Sequence, residues 1–521
     1  MRVLSPGQGS ANLGVRGDLP SMEELPIGEL SGDERAEDKF LNDKAVGRAS
    51  RNAVPLCVDL DGTLVKSDTL WDSLLILVRS HPLKLLQLPQ WLIGGKASFK
   101  RHVVSSVALD VACLPYNSPL LDYLQQEHQA GRSIYLATGA DKALAERVAD
   151  HLRIFDGVLA SDGQTNLTGS NKLASLRERF GPFSYVGNAG PDLPLLRAAA
   201  EPMVANPNGI LRSRLRSQGL KPSREFIDRR RMPAAIAKAI RVHQWPKNFL
   251  VFLPVLLAHG FTRDPLLRSL LAFACFSACA SATYIVNDLL DLEVDRRHAR
   301  KRRRPFAAGD LSAATGILMA GGLAAAAFLG AQWLSASFLF WLCIYAVSTL
   351  AYSLYIKRLA LVDVLVLSGL YTLRVLAGGA AALVPISPWL AAFGIFFFLS
   401  LATAKRFAEL EALRVAGATP KNGRGYLIGD LEQLRSFGTS SAYASVIVFS
   451  FYISNPQVAQ LYHHPGRMWL MAPLLILWLN RVWLLASRGQ LDEDPLIFAL
   501  TDRVSLLLGL VLVGVAAAAA I

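Results

Sequence analysis

Cysteine is scarce in this chain, with five in 521 residues. The five are Cys57, Cys113, Cys275, Cys279 and Cys343. None has the paired spacing of a zinc site, and together they show no disulfide framework of the kind that small secreted proteins carry. Two of them, Cys275 and Cys279, stand one helical turn apart in an apolar run, which favours ordinary packing. The cysteines therefore predict neither a zinc centre nor a secreted, disulfide-built domain.

The first 50 residues lack an apolar run, so they do not have the hydrophobic segment of a signal peptide. They are instead rich in glycine, serine and charged residues. Such a composition buries too little apolar surface to offset the entropy lost on ordering the chain. We therefore expect residues 1–50 to form a mostly disordered tail.

Long apolar runs are absent up to about residue 240 and then recur to the end of the chain. A run of about 20 apolar residues is long enough to cross the hydrocarbon layer of a membrane. The sequence thus predicts a soluble N-terminal part, a basic linker over 221–238 and a membrane domain over 239–521. About nine spans are expected, near 247–260, 266–287, 312–333, 337–356, 361–381, 388–404, 437–454, 468–486 and 503–520.

Positive charge is in excess, with a net charge of +13, and much of it lies beside apolar runs, in residues 212–231 and 296–304. Basic residues that flank membrane segments are typical of cytoplasmic loops, so this charge does not indicate nucleic-acid binding. The loops after the second, fourth, sixth and eighth spans are basic, whereas the opposite loops contain almost no lysine or arginine. This asymmetry predicts a multi-pass membrane protein whose soluble part is cytoplasmic.

Strands alternate with helices in the soluble part. Short apolar runs predict three buried strands, at 55–60, 133–137 and 184–187. Residues 68–130 have leucine and tryptophan at helical spacing. Alternation of this kind predicts an α/β domain with a parallel sheet. Ligands of such sheets bind beyond the carboxyl ends of the strands, where Asp59, Thr138 and Asn188 fall.

The polar side chains that follow these strands suit phosphate chemistry. Asp59 and Asp61 stand two residues apart after the first strand, so one carboxylate can attack phosphorus while the other transfers a proton. A carboxylate that attacks a phosphate dianion needs the negative charge offset by a metal ion and a cation such as Lys172. Thr138 adds a hydroxyl, and Asp192 adds a carboxylate for a metal.

These residues, in this order on this local structure, resemble the haloacid dehalogenase (HAD) superfamily of phosphatases over about residues 54–220. The resemblance implies a Rossmann-like α/β domain, here 51–220, with a helical cap inserted at about 68–130. Asn188 stands at a position where many members of the superfamily have an acidic residue.

The resemblance also implies a role for each residue of the motif. Asp59 would be the nucleophile and Asp61 the general acid and base. Thr138 and Lys172 would hold the phosphoryl group. Asp59, Asp61 and Asp192 would bind Mg²⁺, with Asp61 contributing its backbone.

An acidic stripe ends the second predicted span. Asp288, Asp291 and Asp295 are spaced three and four residues apart, which predicts that they share one face of a helix. Carboxylates are costly inside a membrane and therefore indicate function. Together they can hold Mg²⁺ that is bridged to a diphosphate. The basic run 296–304 follows directly, and the sequence leaves open whether it is an ordinary cytoplasmic loop, a phosphate-binding loop or both.

The stripe resembles that of the UbiA superfamily of intramembrane prenyltransferases, over about residues 238–521. That family usually has a second aspartate-rich motif after the fourth span, but here the region contains only Asp363, followed by Tyr371 and Arg374. This pattern is similar to one branch, the decaprenyl-phosphate phosphoribosyltransferases. Two further motifs of that branch are Gln-Trp-Pro-Lys-Asn at 244–248 and Lys-Arg-Arg-Arg-Pro at 301–305.

The resemblance implies that phosphoribosyl diphosphate donates 5-phosphoribose to a polyprenyl phosphate, of the decaprenyl type, in the cytoplasmic (inner) membrane of a bacterium. Asp288 and Asp291, with Asp295, would hold Mg²⁺ at the catalytic centre. The residues expected to contact the substrates are Lys247, Asn287, Arg304, Lys357, Asp363, Tyr371 and Arg374.

The phosphatase-like domain would then remove the 5-phosphate, which would make the chain a bifunctional enzyme for cell-envelope polysaccharide precursors. Two alternatives stay open at this point. One is a conventional UbiA enzyme that prenylates an aromatic ring, and the other is a lipid-binding scaffold with a degenerate phosphatase domain. The sequence also leaves open the length of the lipid and whether the chain forms a homo-oligomer.

Overall fold

The computed structural model describes residues 54–417, 424–491 and 495–521. The tail predicted at 1–50 lies outside the described residues. The described chain begins with an α/β domain and continues as a helical domain.

Six parallel strands form the sheet of the α/β domain, in the order β3-β2-β1-β4-β5-β6. They are β1 (Leu56–Val58), β2 (Ile134–Asp141), β3 (Gly157–Ser161), β4 (Ser184–Gly187), β5 (Pro202–Ala205) and β6 (Arg224–Phe226). The strand order reverses beside β1, and such a reversal opens a crevice at the carboxyl ends of the strands. The predicted α/β class with a parallel sheet is confirmed.

Helices cover both faces of this sheet. Leu56 and Val58 belong to one apolar cluster and Cys57 to another, as the two-residue period of a strand requires. The helices of the domain are α1 (Thr69–Ser80), α2 (Leu88–Ile93), α3 (Gly95–Ser106), α4 (Ser118–Gln129), α5 (Lys142–Leu152), α6 (Ser170–Phe180), α7 (Leu193–Ala198) and α8 (Gly209–Ser217).

The predicted cap region contains α1 to α4, which are inserted between β1 and β2. The side chain of Asp68 caps α1 by accepting from the N–H groups of Leu70 and Trp71. Helix α4 packs in the apolar cluster of the sheet through Leu120 and Leu124, and Ile76 of α1 and Val104 of α3 pack against the same cluster. Three of the four inserted helices therefore contact the core of the α/β domain.

Strand β6 lies inside the segment 221–238 that the sequence predicts to be a linker. It pairs in parallel with β5, with Glu225 opposite Val204, and Phe226 is buried in the apolar cluster. The sheet thus continues past residue 220, and the stretch that joins the two domains is correspondingly short.

Helices make up the rest of the described chain. They are α9 (Met232–Ala239), α10 (Leu253–Leu257), α11 (Arg263–Leu290), α12 (Leu292–Arg297), α13 (Ala313–Gln332), α14 (Ala336–Leu354), α15 (Val362–Ala382), α16 (Pro388–Val415), α17 (Leu431–Ile453), α18 (Pro456–Ala459), α19 (Met471–Ser487), α20 (Pro495–Thr501) and α21 (Arg503–Ala520). Eight helical segments of the described chain are long and apolar enough to cross a membrane. They correspond to the last eight of the nine predicted spans.

The first predicted span, at 247–260, is not a long α-helix, and that prediction is wrong. Val242–Phe252 form a 3₁₀ helix, and only the five residues of α10 follow it. Pro246 and Pro254 explain the difference, because proline has no N–H to donate and its ring clashes with the preceding turn of an α-helix.

This 3₁₀ segment nevertheless runs beside α11 in the opposite direction. Trp245 Nε1 donates to Ser281 Oγ at 3.1 Å, and Asn248 Nδ2 donates to Ser277 Oγ at 3.1 Å. A 3₁₀ helix rises about 2.0 Å per residue, so eleven residues extend over roughly 22 Å. On the other side Gly378 of α15 touches the backbone of residue 251, where any Cβ would collide. The segment therefore fills the place between α11 and α15 that a ninth helix was expected to occupy.

Candidate active sites

Two buried carboxylates of the α/β domain are joined through a lysine and a tyrosine. Lys172 Nζ lies 2.8 Å from Asp59 Oδ1 and donates to the hydroxyl of Tyr185 at 3.1 Å. That hydroxyl in turn donates to Asp192 Oδ1 at 2.9 Å. All four side chains are buried. The structure thus brings together Asp59, Lys172 and Asp192 from the segments that follow β1, β3 and β4.

Asp61 lies on the same loop as Asp59 and faces the cap. Its Oδ1 accepts from the backbone N–H of Thr69, the first residue of α1, at 2.8 Å. Gly62 follows with a φ of 77°, and its Cα lies against the side chain of Asn188, where a Cβ would collide. Glycine thus lets the loop turn tightly, so that both aspartates point into the crevice at the sheet edge.

The two aspartates have different proton affinities. Burial raises the pKa of Asp59 to about 6, although the charge of Lys172 opposes the shift. Burial and the charge of Asp68 raise the pKa of Asp61 to about 8. At neutral pH Asp59 is therefore mainly ionised and Asp61 mainly protonated, which is the division that a nucleophile and a general acid require.

Thr138 and one residue of the cap complete this crevice. Thr138 is fully buried in β2, and its Oγ1 accepts from the N–H of Ala140 at 3.0 Å. Lys100 of α3 reaches the same end of the strand, where Nζ donates to the carbonyl of Gly139 at 2.6 Å and to Asn166 Oδ1 at 3.1 Å. Burial lowers the pKa of Lys100. The cap therefore adds a second cation to the site beside Lys172.

The donor groups of this crevice suit Mg²⁺, which prefers carboxylate and carbonyl oxygens. Asp59 and Asp192 supply carboxylates, and Asp61 can add its backbone carbonyl. Asp59 Oδ2 has acceptor capacity left, since Thr63 Oγ1 is 3.5 Å away. Over the described ranges no three Asp, Glu, His or Cys side chains are gathered for a metal, so such a site would depend on two carboxylates with backbone and water.

A cavity of about 770 Å³ lies among the helices of the second domain and reaches the first domain. Its charged lining is mostly basic, and its two acidic residues are Asp291 and Glu409. The basic residues are Arg79, Arg241, Lys247, Lys301, Arg304, Lys357, Arg358, Arg374, Lys405, Arg406 and Arg424. Such an excess of positive charge concentrates polyanions.

Most of the predicted substrate residues line this cavity. They are Lys247, Asn287, Arg304, Lys357, Tyr371 and Arg374, together with Asp291. Asp288, Asp295 and Asp363 are buried and do not line it. Asp288 and Asp295 contact Arg304, and Asp363 contacts Arg406; both arginines line the cavity.

The carboxylates of the acidic stripe, which were predicted to share one helix face, divide between two sets of partners. Asp291 stands at a break between α11 and α12. Asp288 and Asp295 both contact Arg304 Nη1, at 3.0 and 2.6 Å. Asp291 instead pairs with Lys357 Nζ at 3.1 Å. Asp291 thus lines the cavity, and the other two carboxylates lie behind Arg304.

The pair of Asp288 and Asp295 has the donor chemistry of a cation site. Arg304 spans the two carboxylates, and Arg241 lies 2.5 Å from Asp288 Oδ1. Asp295 Oδ1 is buried and has no hydrogen-bond partner among the described residues. An orphaned carboxylate oxygen beside a second carboxylate suits a hard cation, so these residues fit Mg²⁺.

Arg374 is fixed in the cavity wall by neutral partners. Its Nε donates to Asn248 Oδ1 at 2.9 Å, and its Nη2 donates to the hydroxyl of Tyr345 at 3.1 Å. The guanidinium also lies 4.8 Å from the ring centre of Tyr345 and 5.4 Å from that of Tyr371. Since the partners described for it carry no negative charge, Arg374 keeps its positive charge for a ligand.

Asp363 is held in a buried network and does not reach the cavity, contrary to the prediction of a substrate contact. Its Oδ2 accepts from Arg406 Nε at 2.6 Å, and its Oδ1 accepts from the hydroxyl of Tyr426. Arg406 does line the cavity and also donates to the hydroxyl of Tyr352 at 2.9 Å. Asp363 therefore acts on the cavity through the position of Arg406.

Sequence reasoning missed four residues of these sites, namely Arg79, Lys100, Tyr185 and Arg241. Each contacts its partner across a domain, cap or helix boundary. Their spacing along the sequence carries no signal for such contacts, because the fold decides which segments meet.

The fold and the two sites define a helical membrane transferase joined to an α/β domain with a parallel sheet. The chain belongs to the UbiA prenyltransferase family, whose profile matches residues 248–501. The predicted UbiA-type domain is thus confirmed, and the assignment of the α/β domain to the HAD superfamily stays a prediction.

Three known proteins illustrate these similarities. The protein y4nM of Sinorhizobium fredii is 38% identical over 472 residues, which cover 88% of this chain and 89% of that protein. The decaprenyl-phosphate phosphoribosyltransferase of Mycobacterium tuberculosis is 36% identical over 225 residues, which cover 42% of this chain and 74% of that enzyme. The HAD family hydrolase t0658 of Salmonella enterica aligns in structure with a TM-score of 0.24 and 18% identity, covering 31% of this chain and 65% of that one.

Proposed function

We propose that the membrane domain transfers 5-phosphoribose from phosphoribosyl diphosphate to a polyprenyl phosphate, and that the HAD-like domain then removes the 5-phosphate. The observation that carries this proposal is the lining of the cavity, where eleven basic side chains face two acidic ones. Both substrates are phosphates, and the donor alone carries a diphosphate and a 5-phosphate. The similarity to decaprenyl-phosphate phosphoribosyltransferases supports the same substrates.

The position of Asp363 favours this reaction over prenylation of an aromatic ring. A conventional UbiA enzyme has a second aspartate-rich motif to hold the diphosphate of its prenyl donor. Here both oxygens of Asp363 are bound by Arg406 and Tyr426. Tyr371 and Arg374 stand on the cavity wall instead, and they suit a sugar hydroxyl and a sugar phosphate.

In the proposed transfer an oxygen of the lipid phosphate attacks the anomeric carbon of the ribose. The bond from that carbon to the diphosphate breaks, and diphosphate leaves with the bonding electron pair. Lys247 and Arg374 would hold the sugar end of the donor, and Lys357 and Arg304 its diphosphate. Mg²⁺ held by Asp288 and Asp295 would supply further positive charge. Catalysis then consists of positioning and charge stabilisation, without a protein nucleophile.

In the proposed hydrolysis Asp59 attacks the phosphorus of the 5-phosphate. Lys172 and Thr138 hold the phosphoryl group, and Asp61 donates its proton to the ribose oxygen that leaves. Water then hydrolyses the phosphorylated Asp59, with Asp61 now acting as the base. Mg²⁺ beside Asp59 and Asp192 would offset the charge of the phosphate.

Both halves would then work on the cytoplasmic side of a bacterial inner membrane. The α/β domain contacts the end of α12, where the basic loop begins, through Asp110 and Arg297 at 3.0 Å. It therefore shares a membrane face with that loop, which the excess of basic residues assigns to the cytoplasm.

The test is a panel of donors offered to the purified full-length protein with Mg²⁺. We expect turnover of phosphoribosyl diphosphate with a polyprenyl phosphate, and none of geranyl or farnesyl diphosphate with 4-hydroxybenzoate. Arg374→Lys should weaken donor binding roughly tenfold or more, because lysine lacks the planar fork that binds phosphate through two hydrogen bonds. Arg481→Lys is the matched control, since Arg481 pairs with Asp502 at 2.7 Å outside the cavity lining.

Prenylation of 4-hydroxybenzoate without turnover of phosphoribosyl diphosphate would show that the conventional reaction is the right one. Binding of lipid without turnover of either donor, together with no phosphatase activity, would favour the scaffold.

A further inference from the structure

Helix α1 of the cap extends to the cavity of the membrane domain. Arg79 lies in the last turn of α1, and its Nη1 donates to Asp291 Oδ1 at 2.7 Å and to the carbonyl of Leu290 at 3.0 Å. The side chain of Arg79 is 30% exposed and is part of the cavity lining. A residue of the HAD-like domain therefore stands beside the one aspartate of the acidic stripe that faces the cavity.

Packing and buried charge fix α1 in this place. Leu75, on the same helix, is buried in an apolar cluster with Ile285 and Leu289 of α11. Arg296 donates to Asp72 Oδ2 at 2.8 Å and to Ser67 Oγ at 3.0 Å. The side chains of Arg296 and Asp72 are only 4% and 2% exposed. Arg79 thus enters the cavity from a docked helix rather than from a mobile surface.

We propose that Arg79 is a phosphate-binding residue of the membrane cavity, so that this cavity is complete only when the HAD-like domain is docked on it. The proposal rests on the proposed function, since it takes the ligand of the cavity to be a diphosphate. It adds that the N-terminal domain supplies part of the transferase site as well as a site of its own.

The free edge of the guanidinium supports this role. Arg79 uses Nη1 for both of its contacts, and within the described chain its Nε and Nη2 make no hydrogen bond. These two groups form the fork that binds a phosphate through parallel hydrogen bonds. Lys357 lies on the other side of Asp291, at 3.1 Å, so two cations flank the same carboxylate. A diphosphate beside Asp291 would meet both of them.

The experiment measures binding of inorganic pyrophosphate, with Mg²⁺, to the purified full-length protein by titration calorimetry. We expect Arg79→Gln to weaken this binding roughly 10- to 100-fold, as expected for the loss of hydrogen bonds between charged groups. Arg79→Lys should bind pyrophosphate more tightly than Arg79→Gln but less tightly than the unaltered protein. Lysine keeps the positive charge, but it lacks the two parallel N–H groups of the guanidinium. Ribose 5-phosphate is the second probe, used in an Asp59→Asn background so that the other domain does not hydrolyse it. It should bind equally with and without Arg79→Gln, if Arg79 serves the diphosphate rather than the sugar phosphate.

Two controls separate ligand binding from domain docking. Arg101→Gln removes another arginine of the cap, which is 57% exposed and outside the cavity lining, and should bind pyrophosphate normally. Arg296→Gln breaks the buried pair with Asp72 and should lower the melting temperature. If Arg79→Gln also lowers the melting temperature, pyrophosphate binding is judged from Arg79→Lys instead, because lysine can still pair with Asp291 and keep the domains docked.

Normal pyrophosphate binding by a folded Arg79→Gln or Arg79→Lys protein would overturn the proposal. The outcome is separable from that of the proposed function. Weakened pyrophosphate binding in these variants, with no turnover of phosphoribosyl diphosphate by the unaltered protein, would leave Arg79 as a ligand of the cavity and remove only the assigned reaction.

Discussion

The hydroxyl of Tyr185 connects two side chains of the phosphatase-like site. It accepts from Lys172 and donates to Asp192. It therefore sets the distance between the cation beside the proposed nucleophile and the carboxylate proposed to bind metal. Burial and the nearby carboxylates raise the pKa of Tyr185 well above its usual value, so the hydroxyl stays protonated and can make both contacts.

Replacing Asp59, the proposed nucleophile, should separate the two proposed activities. We expect Asp59→Asn to lower phosphate release roughly a thousandfold or more, because an amide does not attack phosphorus. Transfer should continue, so the lipid that still carries its 5-phosphate should accumulate. Phosphate release is measured with ribose 5-phosphate as substrate and the lipids are identified by mass spectrometry. Asp150→Asn, on the exposed face of α5, is the control, and unchanged phosphate release in Asp59→Asn would refute the assignment.

The pH profile of hydrolysis should follow the two aspartates. Activity, as kcat/KM for ribose 5-phosphate, should rise as Asp59 ionises near pH 6 and fall as Asp61 loses its proton near pH 8. The substrate of this measurement has to be an alkyl ester such as ribose 5-phosphate, because the oxygen that leaves from an alkyl ester requires the proton of Asp61. Asp61→Asn should have low activity without the alkaline decline. A rate that still rises above pH 9 in the unaltered protein would contradict the assignment.

Single residues of the site could be predicted when their motif lies within one short stretch of the sequence. Asp59 and Asp61 could be identified because a strand and a Gly-containing turn present both in one loop. Tyr185 could not, since it lies inside a strand where a buried tyrosine is ordinary packing. Only the fold shows that its hydroxyl meets Lys172 and Asp192.

At the scale of helices, Asp363 of α15 pairs with Arg406 of α16. The side chain of Asp363 is 0% exposed and that of Arg406 is 1% exposed. Removing one member of a buried pair leaves the other without compensation, which costs about 3–5 kcal/mol. We therefore expect Asp363→Asn to lower the free energy of unfolding by about this amount, and to weaken transfer because Arg406 loses its position.

The measurement is the melting temperature in detergent, compared with Asp264→Asn, whose side chain is 75% exposed. An unchanged melting temperature with strongly reduced Mg²⁺ binding would instead show that Asp363 is a metal ligand, as in a conventional UbiA enzyme.

Helices and strands could be predicted wherever the spacing of the apolar residues and the length of the apolar run indicate the same element. Eight spans and the parallel sheet follow from long apolar runs and from strand–helix alternation. The first span failed because Pro246 and Pro254 exclude a continuous α-helix, although the same residues are apolar enough for one. The spacing of the acidic stripe could not show that Asp288 and Asp295 share Arg304 while Asp291 pairs with Lys357, because those partners come from other segments.

At the scale of the whole molecule, one basic segment serves both domains. Arg296 and Arg297 pair with Asp72 and Asp110 of the α/β domain, whereas Arg304 spans the carboxylates behind the cavity. The sequence left open whether this run is a cytoplasmic loop or a phosphate-binding loop. The structure adds a third use, the docking of the HAD-like domain, which no pattern in the run itself could indicate.

The central claim is that one chain carries out transfer and hydrolysis in succession, and mass spectrometry of the lipid products tests it most directly. The full-length protein is incubated with phosphoribosyl diphosphate, a polyprenyl phosphate and Mg²⁺, and lipids are sampled over time. We expect polyprenyl phosphate carrying 5-phosphoribose first, and then polyprenyl phosphoribose without the 5-phosphate, with no other enzyme added. A product that keeps its 5-phosphate indefinitely, or no ribosylated lipid at all, would contradict the account.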